Sequence, residues 1–212
     1  MVRAPSFAGV ILAAGESSRM GMDKALLPWP PAGKGRGPKD TFLSAAIRSL
    51  AISTDFILVV AGKNKLLLAP IVYSNGATLI VNPDPSRGQF SSLQIGLQEV
   101  LNRGRDAALV TLVDRPPAAA ATIQNLRNAF AASSDETWAI IPEFSGSHGH
   151  PIVVGREMIE AFLRAEPTST VREIFGRNQD SLRYVAVDDP CVALHINTPQ
   201  EYAQLGLQDN NV

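Results

Sequence analysis

The chain has 212 residues, of which 45% are hydrophobic and 18% charged, and 19 Lys+Arg against 20 Asp+Glu leave a formal net charge of −1. That length predicts a single domain (residues 1–212) around one core, the apolar content excludes disorder over most of the chain, and the balanced charge excludes the polycationic footprint of a nucleic-acid or anionic-membrane binder. The one cysteine, Cys191, excludes an intrachain disulfide and every Cys-rich zinc module, which fits a reducing, cytoplasmic setting.

The first element is an apolar run at 7–14 behind Arg3. A signal peptide has a hydrophobic region of similar length. Here, however, the basic segment is thin, no A-x-A pattern follows, and a glycine-and-charge motif does, so a buried strand is predicted over 7–12. No run approaches the ~20 residues of a membrane span. Further apolar runs at 56–60, 77–81, 107–113, 138–141, 151–154 and 183–187 lack in/out alternation, the pattern of strands covered on both faces. Between them, Thr41 caps a helix that buries Phe42, Ala45, Ala46 and Leu50, and Ser91 or Ser92 starts one that buries Leu93, Leu97, Val100 and Leu101. Residues 29–40, with three Gly, three Pro and three basic residues, form a loop. Helices follow near 118–132, 155–165 and 169–176. The last begins at Thr198, with Pro199 at the first helical position and Glu201 completing a capping box; residues 209–212 read as a frayed tail. This βαβα order predicts an α/β fold, a three-layer sandwich with a mostly parallel sheet.

In such sheets ligands bind at the carboxyl ends of strands. The residues after the first strand, AAGESSRMGMDK (13–24), offer Gly15 and Gly21 for close backbone approach to an anion, and Arg19 and Lys24 for charge. Five residues separate the glycines and Met22 stands where a Walker A lysine would be, so the loop is neither that motif nor G-x-G-x-x-G. Its residues are compatible with a polyphosphate cradle or with a turn carrying solvated cations. Asp114 ends the fourth strand, before Arg115-Pro116-Pro117. Taken alone, it is a turn or N-cap acid, or a ligand for a hard cation that a nucleotide phosphate shares. The three histidines are His148, His150 and His195. The H-x-H pair on a strand would put two rings on one face, as in zinc hydrolases, but that chemistry leaves Arg19, Lys24 and the Gly15 loop without a task.

The stretch GVILAAGESSRMGMDKALLP, followed in order by NPDPSRGQFSSLQIGL, LVDRP, HGHPIV and HINTPQEY, resembles the MobA-like nucleotidyltransferases over nearly the whole chain. Within that family SSLQIGL and the GHP block look most like the molybdenum cofactor cytidylyltransferases. The resemblance implies a Rossmann-like nucleotidyltransferase fold and transfer of CMP from CTP to the phosphate of molybdopterin, with release of pyrophosphate. It implies that Leu12, Ala13, Ala14 and Gly15 line the base and phosphates, that Arg19 and Lys24 bind the triphosphate, and that Ser92 reads the cytosine. Asp114 and Asn197 would hold Mg²⁺, and Gly149, His150 and Pro151 would lie at the acceptor. The chain departs from the family in three places. It has His195-Ile196-Asn197 where many relatives have Asp-Ile-Asp, a longer 29–40 segment, and Arg115 where Met or Gln is commoner. A phosphate monoester, with a second pKa of about 6, is already a dianion at neutral pH and needs no protein base. Transfer from GTP, and transfer to sugar or alcohol phosphates, share the same phosphate chemistry and are the alternatives. No nucleic acid or membrane partner is expected.

Overall fold

A computed structural model describes residues 4–15, 17, 20–31, 40–166 and 168–208. In chain order the elements are β1 (Phe7–Ala13), β2 (Pro28–Trp29), β3 (Asp40–Thr41), α1 (Phe42–Ala51), β4 (Phe56–Ala61), α2 (Lys65–Ser74), β5 (Thr78–Val81) and α3 (Gln89–Asn102). They continue with β6 (Ala107–Leu112), α4 (Ala120–Ala131), β7 (Ala139–Phe144), β8 (Ser147–His148), β9 (Ile152–Gly155), α5 (Arg156–Arg164), α6 (Val171–Arg177), β10 (Leu182–Ala186) and α7 (Pro199–Gln208). All seven apolar runs are strands of one sheet, ordered β10-β7-β9-β6-β1-β4-β5, with β8 paired to β7.

Two apolar layers explain why the five inner runs lack alternation; the edge strands β5 and β10 are only partly covered, contrary to the expectation of two-sided burial. Phe7, Ile11 and Ala13 of β1 pack with Leu43, Ile47, Leu68, Ile123 and Leu126 of α1, α2 and α4. The intervening Ala8, Val10 and Leu12 pack with Leu93, Leu97, Met158 and Phe162 of α3 and α5. Every β1 residue is therefore buried, and the fold is the expected three-layer sandwich. Among the described residues no helix is long and apolar enough to cross a membrane.

Strand direction decides where chemistry collects. β1 runs parallel to β4 and β6. β9 is antiparallel to both β6 and β7, and β7 is parallel to β10. The segments that follow β1, β5, β6 and β10 therefore lie at one edge of the sheet, and so does the segment that precedes β9.

Thr41 caps α1 as expected, its hydroxyl accepting from Ser44 N, and Thr198 and Glu201 cap α7 reciprocally. Three details differ from the sequence reading. The helix placed at Ser91 or Ser92 starts earlier, after Gly88, whose φ of +91° favours glycine; both serines lie inside its first turn, and Leu101 is only half-buried. Helix α2 was not anticipated, because its sequence KLLLAPIVYS has no polar face and contains Pro70. The 29–40 segment is pinned at its ends by the β2–β3 ladder, Pro28 opposite Thr41 and Trp29 opposite Asp40; residues 32–39 and the 209–212 tail lie outside the described residues.

Candidate active site

Lys24 is delivered to the sheet edge by a fixed turn. Asp23 Oδ1 accepts from Ala25 N at 3.0 Å, its Oδ2 accepts from Asn64 Nδ2, and Lys24 N donates to Ser17 Oγ at 3.1 Å. Met20, Leu27, Phe42 and Ile196 bury one another beneath Tyr202, whose hydroxyl donates to Pro28 O at 2.7 Å. That small cluster docks the end of the chain on the first loop. Ile196 N also donates to Asp114 O at 2.9 Å, tying the closing segment to the end of β6.

The result is a four-residue network. Lys24 Nζ lies 3.3 Å from Asp114 Oδ2 and donates to Asn197 Oδ1 at 3.0 Å. Asn197 Nδ2 donates to His195 Nδ1 at 3.0 Å, which leaves His195 Nε2 to donate to Asp114 Oδ2 at 2.9 Å. Asp114 Oδ1 is buried and has no hydrogen-bond partner among the described residues.

This network lines a cavity of about 750 Å³. Among the described residues four cationic side chains face it, Lys24, Arg87, Arg115 and Arg172, against the single carboxylate of Asp114. A chain with a net charge of −1 thus concentrates positive charge in one place, which suits a polyanionic ligand. Gly88 and Gln89, at the N-terminus of α3, add the positive end of a helix to the same wall. A smaller cavity of about 110 Å³ adjoins it, lined by Leu12, Ala14, Gly15, Pro85, Gly88, Gln89 and Ser92. Ser92, 3% exposed, accepts from Asn82 Nδ2 at 2.9 Å and lines this cavity.

A third cavity of about 480 Å³ lies on the β7–β9–β10 side. Gly149 lines it, and no other residue fits there, since a Cβ would fall 1.9 Å from Val192 O. His150 lines both this cavity and the large one. Burial, reinforced by Arg115, holds its ring pKa down at about 3, so the imidazole is neutral at pH 7.

The expected site residues thus separate. Lys24, Asp114 and Asn197 meet; Leu12, Ala14, Gly15 and Ser92 form the small cavity; Gly149 and His150 line the third. Ala13 lines none of them: its side chain is buried in the α1/α2/α4 layer and its carbonyl accepts from Asn64 Nδ2 at 2.9 Å. Arg19 lies outside the described residues. The H-x-H pair does not lie on one strand, since β8 ends at His148, although both rings line the third cavity. His148 stacks on Tyr184 at 4.2 Å and pairs with Glu143 at 3.2 Å, whereas His150 is half-buried on the Arg115 side. Among the described residues no group of three or more His, Cys, Asp or Glu is placed to hold a metal, which removes the support for a zinc hydrolase. Arg87, Arg172 and His195 had not been singled out as site residues. Arg87 could have been, because it follows β5 as Lys24 follows β1; nothing local marks the other two.

The chain matches the MobA-like NTP transferase domain over residues 9–182. It is 28% identical over 195 residues, 91% of this chain and 92% of the relative, to the molybdenum cofactor cytidylyltransferase of Escherichia coli (strain K12). It is 30% identical over 129 residues, 61% of this chain and 58% of the relative, to the "Probable molybdenum cofactor guanylyltransferase" of Rhodopirellula baltica. The crystal structure of Rv0371c from Mycobacterium tuberculosis H37Rv superposes with a TM-score of 0.78 at 25% identity, covering 94% of this chain and 97% of that one. With the phosphate-directed cations and the strand-end acid in one cavity, the chain belongs to the MobA-like NTP transferase family and is a nucleotidyltransferase.

Proposed function

We propose that this nucleotidyltransferase moves CMP from CTP, in preference to GMP from GTP, onto the phosphate of molybdopterin, with Mg²⁺ as its metal. The observation that carries the proposal is Lys24 Nζ bridging Asp114 and Asn197 in a basic cavity that opens onto the Ser92 pocket. The cytidylyl- and guanylyltransferase relatives support the acceptor class, and the Ser92 hydroxyl supports the base.

The residues fit a hard divalent cation. Asp114 Oδ1 is a buried carboxylate oxygen without a partner among the described residues, and Asn197, which shares Lys24 Nζ with Asp114, offers a second oxygen. A bound Mg²⁺ would neutralise phosphate charge there. The chain's own residues position and stabilise. An oxygen of the acceptor's phosphate dianion attacks the α-phosphorus, a new P–O bond forms, and the bond from the α-phosphorus to the α,β-bridging oxygen breaks. Pyrophosphate departs with that electron pair. Lys24 and Arg87 face the triphosphate and offset the charge that builds on the leaving group; Arg19, by its place in the motif, joins them. No side chain needs to take a proton, and His150, with a pKa near 3, is a poor base in any case.

The test is incubation with each of the four NTPs, Mg²⁺ and molybdopterin, following pyrophosphate release, beside thermal shifts with CTP and GTP. CTP is expected to support release and to raise the melting temperature most, a ligand at 100 Kd contributing about 2.7 kcal/mol. A larger shift and faster release with GTP would overturn the cytidylyl assignment, and release with sugar phosphates in place of molybdopterin would overturn the acceptor.

A further inference from the structure

Arg115 has no place in the mechanism above, yet its setting is unusual. The large cavity and the third cavity share five lining residues, Arg115, His150, Ile152, Val171 and Arg172, so these form the seam between them. Arg115 NH1 donates to Leu194 O at 3.0 Å, which fixes the guanidinium in place. Among the described residues its Nε is shielded from solvent and has no acceptor, and the neighbouring His150 Nδ1 is likewise unpartnered. A guanidinium kept half-buried with free donors is costly unless an anion completes it.

Topology says which anion. The sheet order β9-β6-β1 places the Ser92 pocket on the β1 side of Asp114 and the third cavity on the β9 side. A nucleotide lying from the Ser92 pocket to Lys24 would leave the opposite flank of its α-phosphate facing Arg115, and in-line attack must come from the flank opposite the leaving group. Beyond the seam, Ile141, Phe175, Leu182 and the stacked His148–Tyr184 pair give the third cavity apolar and aromatic walls.

We propose that the third cavity takes the body of the acceptor and that Arg115, with Arg172, binds its phosphate monoester at the seam, making Arg115 the residue that selects a phosphate over a hydroxyl acceptor. This deepens the nucleotidyl-transfer reading and rests on it for the direction of approach.

The probe is phenyl phosphate, titrated by calorimetry into protein saturated with Mg²⁺ and the non-transferable α,β-methylene analogue of CTP. Phenyl phosphate is expected to bind with the nucleotide in place, and phenol at least about tenfold more weakly, since a bond to a charged group is worth more than a tenfold in affinity. Arg115→Gln, which keeps a donor for Leu194 O, should weaken phenyl phosphate at least about tenfold while leaving phenol and the nucleotide analogue unchanged. Arg115→Lys should recover part of the loss. Exclusion of phenyl phosphate by the nucleotide analogue in the parent protein, absence of binding, or undiminished affinity in Arg115→Gln would each overturn the proposal, and the first two need no variant to fold. If the nucleotide analogue itself fails to bind, nucleotidyl transfer is refuted separately. Titration of the free protein then decides: affinity lost in Arg115→Gln and kept in Lys24→Ala supports the seam, and the reverse puts the ester in the triphosphate cradle and overturns it.

Discussion

Lys24 sits where a cation is expected to be held, and this makes an unusual prediction for Lys24→Met. The ammonium is 3.3 Å from Asp114 Oδ2, with side-chain exposures of 12% and 21%, and 3.0 Å from Asn197 Oδ1. At an effective dielectric of about 20 that ion pair is worth about 5 kcal/mol of bare attraction. Most of it is returned when a displaced ammonium regains water, so the net value is that of a hydrogen bond to a charged group, about 1.5–3 kcal/mol. A divalent ion arriving without nucleotide must displace Lys24 against that cost, whereas one arriving with a triphosphate gives the lysine a new partner. Lys24→Met should therefore bind free Mn²⁺ about tenfold or more tightly than the parent, while kcat/KM for transfer falls by at least ~10²-fold. Electron paramagnetic resonance of free Mn²⁺ in nucleotide-free protein measures the first effect, and pyrophosphate release measures the second. Asp114→Asn should abolish the tight Mn²⁺ site in both backgrounds. Unchanged or weaker Mn²⁺ binding in Lys24→Met would refute the competition argument, and near-parental turnover would return Lys24 to an ordinary surface lysine.

Two further outcomes follow from the same geometry. Ser92→Ala should reduce discrimination between CTP and GTP by the worth of one neutral hydrogen bond, about 0.5–1.5 kcal/mol or ~2–10-fold, with little change in triphosphate affinity; retained selectivity would show that Ser92 does not read the base. His150, held at a pKa of about 3 in the fold against about 6.5 when unfolded, leaves the unfolded chain binding one more proton between those values. Its contribution to stability is therefore full above pH 6.5 and is lost as pH falls toward 3, costing about 2 kcal/mol by pH 5. Denaturant melts at pH 7 and pH 5 should show a smaller acid loss in His150→Gln than in the parent, and equal losses in the two proteins would sink the argument.

Much of this protein is written locally. Two-sided burial leaves strands without alternation, and all seven runs that lacked it became strands of the sheet. Thr41 and Thr198 cap their helices through contacts three residues away, so sequence spacing identifies them. Where several local signals coexist, the sequence misleads. Ser91 and Ser92 look like helix caps, but both are buried in the first turn of α3, their hydroxyls accepting from Asn82 Nδ2 of another segment. The apolar α2 carries no periodicity because its Leu66 and Leu67 are 80% and 60% exposed while Leu68 and Val72 are buried. The site divides the same way. The glycine-and-cation loop and the strand-end acid are local, and their position after apolar runs was enough to place them at a ligand edge. That Lys24 meets Asp114 ninety residues on and Asn197 a further 83 on was decided by the tertiary structure alone. So was the assembly of Arg115, His150 and Arg172 into one seam. These contacts depend on β9 entering the sheet antiparallel between β6 and β7 and on the Phe42–Ile196 cluster docking the end of the chain. Neither leaves a mark on sequence spacing, because strand order and docking are settled by which apolar surfaces bury one another, not by the residues beside the site.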